Sequence, residues 1–200
     1  MIRALLRIVG LATLAAGLVG ALRQRQEAQA VRRGDLPPAS ASAQLPPTVR
    51  YGALAGSLAA WVPQRPEHPA GRLLVSAWAG PLTVIGYGLA LLAGRRPVWD
   101  DELSCFVAIG MRGPTSRLLA LLGADANTIG QVVLSTPSDP SRILLAHEAV
   151  HVRQTERLGP LLLPTYLWLG ARYGYRDNPL ERAARAGAHA FRQRSEATTD

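Results

Sequence analysis

Residues 143–152 read Ile-Leu-Leu-Ala-His-Glu-Ala-Val-His-Val, and this stretch decides how the rest of the chain is interpreted. His147 and His151 are four positions apart, so in an α-helix their side chains project from the same face. Zinc binds neutral imidazole nitrogens, and a catalytic zinc site uses three protein ligands and leaves one position for water. Glu148 lies beside that face, where a carboxylate can accept a proton as a general base. The stretch therefore predicts a Zn²⁺ site with Glu148 as the catalytic residue.

The setting of these three polar residues favours a bound metal. The other seven residues of the stretch are apolar, and a helix that is apolar all round is buried. Burying two imidazoles and a carboxylate is costly unless something binds them, and a divalent cation would do so. The alternative is a helix whose histidines are simply solvated and hold no metal.

Signals on either side predict the limits of this helix. Asp139 followed by Pro140 is typical of a helix start, with the aspartate as N-cap and the proline at the first helical position. The helix should continue to about Leu158, because Gly159 and Pro160 then form a typical stop.

The third metal ligand has to come from further along the chain. Residues 160–173 contain no carboxylate and no histidine. Glu181, in a second, polar helix, is the first candidate by elimination, Asp177 is the runner-up, and His189 is a more distant one. Glu181 has a competing structural role, because with Asn178 as N-cap it could close a capping box instead.

Two apolar segments precede this region. Residues 73–94 contain no charge, and a helix of that length rises about 33 Å, which matches a bilayer core. Pro81 weakens such a helix and leaves a pair of buried strands as the alternative. Residues 1–22 have a basic start and an apolar stretch, as in a signal peptide or a membrane anchor. Residues 23–72, rich in Gln, Arg, Ala, Ser and Pro, are predicted to be a largely irregular linker.

The last part of the chain, residues 95–200, is predicted to be the metal-binding domain. Strands are expected over residues 103–109 and 128–135, with a turn over residues 124–127 before the second strand. Together with the two helices downstream, these strands predict an α+β fold.

The charge and the cysteine content argue against a nucleic-acid partner and against an intrachain disulfide. The net charge is +8 and all 22 basic residues are arginines, but they are scattered and form no patch with aromatic residues. We therefore expect no nucleic-acid partner, whereas membrane lipid is compatible with a basic, apolar chain. Cys105 is the only cysteine, so no intrachain disulfide can form, and its apolar surroundings favour a buried core position.

Several short motifs between residues 145 and 184 resemble an uncharacterised family of small bacterial membrane-associated proteins with a gluzincin-like motif. The motifs are HEAVHVRQ at 147–154, ERLGPL at 156–161, PTY at 164–166 and YRDNPLE at 175–181. The resemblance implies that His147, His151 and Glu181 are the metal ligands and that Glu148 is the base. It also implies a small sheet packed on a zincin-like metal-binding helix and a second C-terminal helix, preceded by one or two apolar membrane helices.

The expected function is that of a zinc metallopeptidase at a membrane, which we take to be the bacterial cell membrane. Its partners would be a peptide or protein substrate and membrane lipid, and the strand before the metal helix would pair with an extended peptide. Two alternatives remain open at this point. One is a non-catalytic, zinc-stabilised membrane protein that acts as a structural or binding module, and the other is a membrane protein without metal.

Overall fold

The computed structural model describes residues 2–37, 45–114, 116–117 and 125–197, and their fold is mixed α+β, as predicted. The helices are α1 (Ile2–Arg33), α2 (Ala53–Ala59), α3 (Pro69–Leu92), α4 (Arg142–Leu158), α5 (Leu162–Tyr173) and α6 (Pro179–Ala197), with a 3₁₀ turn (Gly159–Leu161) between α4 and α5. The strands are β1 (Val98–Asp100), β2 (Cys105–Ala108), β3 (Ala126–Ile129) and β4 (Val132–Ser135).

The four strands form one mixed sheet in the order β1-β2-β4-β3. The central pair, β2 and β4, is parallel, and the edge strands β1 and β3 are antiparallel to their neighbours. The strand predicted over residues 103–109 is found as β2, and Cys105 in it is fully buried, as expected.

The single strand predicted over residues 128–135 is wrong, because the chain reverses within it. Ile129 pairs with Val132, and Gly130 adopts a φ of +67° in the tight turn between them. A two-residue hairpin turn needs a positive φ, and glycine supplies it without strain. The turn expected over residues 124–127 is also wrong, because residues 126 and 127 already belong to β3; residue 124 lies outside the described residues.

The sheet lies between two helices, and the side chains of β4 alternate between them. Val132 and Leu134 pack with Ala90 of α3 on one face. Val133 packs with Val152 of α4 on the other face. Because successive strand residues point to opposite faces, the wholly apolar composition of β4 is that of a strand buried on both sides.

Helix α3 decides between the two structures predicted for the uncharged segment at residues 73–94. It is a helix, so the alternative of two strands is wrong, and Pro81 is accommodated within it. The helix begins at Pro69, four residues earlier than the apolar segment. By length and composition α3 could cross a membrane, and little of its surface is buried inside the protein. The part that is buried consists of the small residues Ala79, Gly86 and Ala90, of which Gly86 and Ala90 lie against the sheet.

Helix α1 continues through Arg33, well past the boundary expected after residue 22. The expectation of a largely irregular linker over residues 23–72 is wrong for residues 23–33, because Ala, Gln, Glu and Arg favour helix, and it is also wrong for α2. Residues 38–44 of that segment lie outside the described residues. α1 packs along α5, and small residues allow this, since Gly17 lies against Leu167. The carboxylate of Glu27 anchors the helix end by accepting hydrogen bonds from the backbone amides of Tyr175 (3.1 Å) and Arg176 (2.8 Å).

Helix α4 ends where the sequence predicts but starts later. Its N-cap is Ser141, whose hydroxyl accepts a hydrogen bond from the amide of Leu144 at 3.2 Å. The predicted cap at Asp139 is therefore wrong. The serine hydroxyl reaches the amide of the third helical residue, which satisfies one of the free amides of the first turn, and Pro140 lies before the cap.

Candidate metal centre

Two helices bring the three predicted ligands together. His147 and His151 project from α4, and Glu181 projects toward them from the first turn of α6. The Nε2 atoms of the two histidines are 3.3 Å apart. His147 Nε2 lies 3.4 Å from Oε2 of Glu181, and His151 Nε2 lies 3.3 Å from its Oε1. These residues form a cluster that could hold a metal ion.

The separations within the cluster can be compared with those between the ligands of one metal ion. Ligand atoms about 2.05 Å from a tetrahedral zinc ion lie about 3.35 Å from one another. The separation of the two histidine nitrogens, 3.3 Å, is close to that value, and each nitrogen lies 3.4 or 3.3 Å from a different carboxylate oxygen of Glu181. Oε2 of Glu181 is also buried without a hydrogen-bond partner among the described residues, as expected for an atom that binds a cation. Both observations favour a cation bound between the three side chains.

The competing candidates for the third ligand lie elsewhere. Asp177 accepts hydrogen bonds from the amide and the hydroxyl of Thr48, which precedes α2. His189 lies further along α6 and does not belong to the cluster formed by the described residues. These two side chains therefore take no part in the triangle that His147 and His151 form with Glu181.

The capping-box role of Glu181 is not seen. Asn178 does cap α6, because its side-chain oxygen accepts from the amide of Leu180 at 3.0 Å. The amide of Asn178 donates to the carbonyl of Tyr175, however, at 3.4 Å. The Glu181 carboxylate instead accepts a hydrogen bond from the hydroxyl of Tyr166 at 2.7 Å. Its side chain is thereby held toward the histidines.

Gln154, which also lies on α4, sets the orientation of the His151 ring. Its side-chain oxygen lies 2.8 Å from Nδ1 of His151, and its amide nitrogen donates to the carbonyl of Leu180 at 3.1 Å. Because the carbonyl can only accept, Gln154 presents its oxygen to the ring, and Nδ1 carries the proton. In the neutral form of the ring, the lone pair of Nε2 then points toward the cluster. This is the tautomer that a metal needs. Our sequence analysis missed this residue, although its position three after the second histidine could have indicated it.

The electrostatics of the metal-free site favour a positive charge beside Glu181. Burial disfavours the charged form of His151, but the Glu181 carboxylate outweighs it and raises the pKa of His151 to about 9. Burial also disfavours the ionised form of Glu181, yet the two histidines hold the pKa of that carboxyl well below its usual range. The carboxylate is therefore ionised, and its buried cationic neighbours are Arg185, whose Nη2 lies 3.5 Å from Oε2, and the protonated ring of His151, whose proton a metal ion would replace.

Glu148 is placed beside the triangle and is not a member of it. The side chain is buried and contributes to the wall of a cavity that also borders the two histidines. One of its oxygens, Oε2, lies 2.7 Å from the hydroxyl of Thr128 on β3. The edge strand thus contacts the predicted base directly. Sequence reasoning missed Thr128, because nothing in the pattern of residues 128–135 showed where the hairpin would turn.

The cavity over the cluster has a volume of about 400 Å³. The whole of β3 and Gly130 form one wall, so the edge of the sheet runs beside the candidate metal site. Helices α1, α3 and α5 supply further walls, mainly with apolar and small residues. The arrangement offers space for a ligand between the edge strand and the cluster.

Comparison of the chain with protein-family models, with curated proteins and with solved structures finds no match. The family resemblance is therefore carried only by the motifs in the sequence. The case for a function rests on the chemistry of the site.

Proposed function

We propose that this chain is a membrane-associated zinc metallopeptidase, in which His147, His151 and Glu181 hold Zn²⁺ and Glu148 is the general base. One observation carries the proposal: one ligand atom from each of the three residues lies within 4.8 Å of the others, and the buried carboxylate of Glu148 borders the same cavity. The packing of the sheet and of α6 on α4 agrees with the zincin-like arrangement implied by the resemblance, which is part of the proposal.

The residues of the site have distinct roles in this reaction. Zinc held by three protein ligands would lower the pKa of a water molecule toward neutrality and polarise a carbonyl group. Glu148 would take the proton from that water and pass it to the nitrogen of the leaving amine. Thr128 holds the base in place, because its hydroxyl engages one of the two carboxylate oxygens. Tyr166 does the same for the ligand Glu181.

The edge strand provides a place for the peptide. Within the described ranges of the chain, β3 pairs with β4 on one side only, and all of its residues border the cavity. An extended peptide can add to such an edge through backbone hydrogen bonds, which would carry its carbonyl groups past the cluster. We therefore propose that the substrate is a peptide or protein segment bound along β3.

Association with a membrane is proposed from α3 and its surroundings. The helix is long enough to span a bilayer, and large apolar side chains such as Leu73, Leu92 and Val84 are exposed on it. Arg72 near its start and Arg95 after its end would lie where charged side chains reach the lipid headgroups. The expected location is the bacterial cell membrane.

A second candidate function is a non-catalytic zinc-stabilised module. It is favoured by the burial of Glu181 and His151 and by their position on two different helices, which a metal ion would join. Structural zinc sites stabilise a fold directly and have no open position. This candidate predicts bound zinc and loss of folding on chelation, with no peptide cleavage.

The test compares Glu148→Gln with Glu102→Gln, an exposed glutamate outside the site. Glu148→Gln should keep its zinc and its fold but lose about 10²–10⁴-fold in cleavage rate, because the base is removed and the ligands are not. The Glu102→Gln control should cleave at the wild-type rate. Zinc content is measured by elemental analysis and cleavage with a peptide library. Unchanged cleavage by the Glu148→Gln protein would overturn the assignment of the base.

A further inference from the structure

The cavity over the cluster has few groups that could neutralise a charged ligand. Among the described residues that line it, the carboxylates and imidazoles all belong to the site itself, and no arginine, lysine or aspartate is present. Apolar side chains surround the site from three directions: Leu82 and Ile85 of α3, Ile129 of β3, and Leu162, Leu163 and Leu167 of α5. A charged side chain placed among them would lose its hydration without gaining a partner.

The rim of the cavity is also apolar. Ile85 and Leu163 line the cavity and are 53% and 52% exposed, so they lie between its interior and the outer surface. The exposed apolar surface continues along the same helices, at Val84 on α3 and Trp168 on α5. A substrate side chain that enters past Ile85 and Leu163 therefore crosses an apolar border.

Helix α3 indicates that lipid surrounds the apolar rim of the cavity. This is the helix that could cross a membrane, and its residues Leu82 and Ile85 face the cavity. Lipid that covers the exposed face of α3 would extend to the cavity rim. Within a bilayer, an apolar peptide segment is already concentrated at that rim, whereas a charged segment is excluded from it.

We infer that the site takes an apolar peptide segment held in a lipid bilayer, and that Ile85 and Leu163 admit its side chains to the cluster. The inference rests on the proposed peptidase function and names the substrate class of that site. It goes further than the presence of a membrane helix, because it places the route of the substrate between α3 and α5.

The experiment uses the full chain in vesicles of phosphatidylcholine and phosphatidylglycerol. Two photo-reactive peptides of about 20 residues are compared, one of Leu and Ala and one in which two central leucines are replaced by glutamate. Binding is read as cross-linking yield to zinc-loaded Glu148→Gln protein, so that it does not depend on turnover. Cleavage by the wild-type protein is measured separately. Both cross-linking and kcat/KM should favour the apolar peptide at least tenfold.

Matched variants of α3 test the route. Ile85→Arg places a charge at the rim and should lower cross-linking of the apolar peptide at least tenfold, while raising that of the glutamate peptide. Leu92→Arg introduces the same side chain on the same helix at a residue that does not line the cavity, and it should leave both yields unchanged. Equal losses in the two variants would overturn the route.

The lipid source is tested with a short, water-soluble peptide that carries the same apolar residues. It should be cleaved at least tenfold more slowly than the segment embedded in vesicles. Equal rates would overturn the inference that the substrate reaches the site from the bilayer.

Failure of the inference can be told apart from failure of the proposed function. Equal cleavage of the apolar and the glutamate peptide would overturn the substrate class and leave the peptidase standing. Preferential cross-linking of the apolar peptide without any cleavage by wild type would support the binding site and overturn the peptidase.

Discussion

At the scale of single residues, the metal affinity of the two histidines depends on the groups that orient their rings. Gln154 bridges Nδ1 of His151 and the carbonyl of Leu180, and it is fully buried. Replacing it with leucine keeps a similar volume but removes the acceptor that fixes the tautomer. We expect Gln154→Leu to lower zinc affinity by about 10–100-fold, the usual effect of removing such a partner. Competition with a chromophoric chelator measures the affinity, and an unchanged value would remove Gln154 from the site.

The pKa of His151 leads to a pH dependence of metal binding. A raised pKa means that the imidazole holds its proton more tightly, and zinc binds only the neutral ring. With a pKa of about 9, the metal-free ring is mostly protonated at pH 7–8.5, so zinc must displace a proton. Affinity should therefore fall about tenfold for each pH unit below 9. If His151 had the ordinary imidazole pKa near 6.5, zinc affinity would stay nearly constant between pH 7 and 8.5. A constant affinity would therefore contradict the rise in the His151 pKa caused by Glu181.

At the scale of the elements, the close contact between α3 and the β3–β4 hairpin depends on one glycine. A Cβ atom at Gly86 would lie 2.4 Å from the carbonyl oxygen of Ile129, whereas one at Gly88 on the same helix would meet nothing within 4 Å. Gly86→Ala should destabilise the protein by about 1–3 kcal/mol through overpacking. Gly88→Ala should stabilise it by up to about 1 kcal/mol through helix propensity. Thermal unfolding of both variants checks this, and equal shifts would show that α3 does not pack as described.

The elements also show what local sequence can and cannot predict. The end of α4 at Gly159 and the helical nature of α3 follow from local signals, namely a stop motif and a long uncharged run. The approach of Glu181 to His147 joins α4 to α6, and it follows from elimination and from the family resemblance, not from a local signal. The contact between Thr128 and Glu148 depends on the hairpin, whose turn at Gly130 is hidden in an apolar run. The packing of α1 on α5 depends on partners far apart in the chain, so no periodicity in residues 23–33 indicates it.

At the scale of the whole molecule, the three layers are tied together by a buried polar network near the site. Glu156 of α4 accepts hydrogen bonds from Arg153 and from Gln131 in the hairpin turn, each at 2.6 Å. Gln131 in turn donates to Ser76 of α3 at 3.1 Å, and Arg153 reaches the carbonyl of Ser104. One carboxylate thus links α4, the sheet and the candidate membrane helix α3. The cavity is bordered by other residues of the same three layers.

Removal of that carboxylate gives the last prediction. Glu156→Ala leaves Arg153 buried without its counter-charge, and breaking a buried pair in this way costs about 3–5 kcal/mol. The control is Glu102→Ala, which removes an exposed partner of Arg142 and should cost less than about 1 kcal/mol. Denaturant unfolding of the two variants measures the difference. If both lose the same small amount, the charge of Arg153 is not buried between the layers. If Glu156→Ala also widens cleavage to charged peptides, the network holds the apolar walls of the cavity in place.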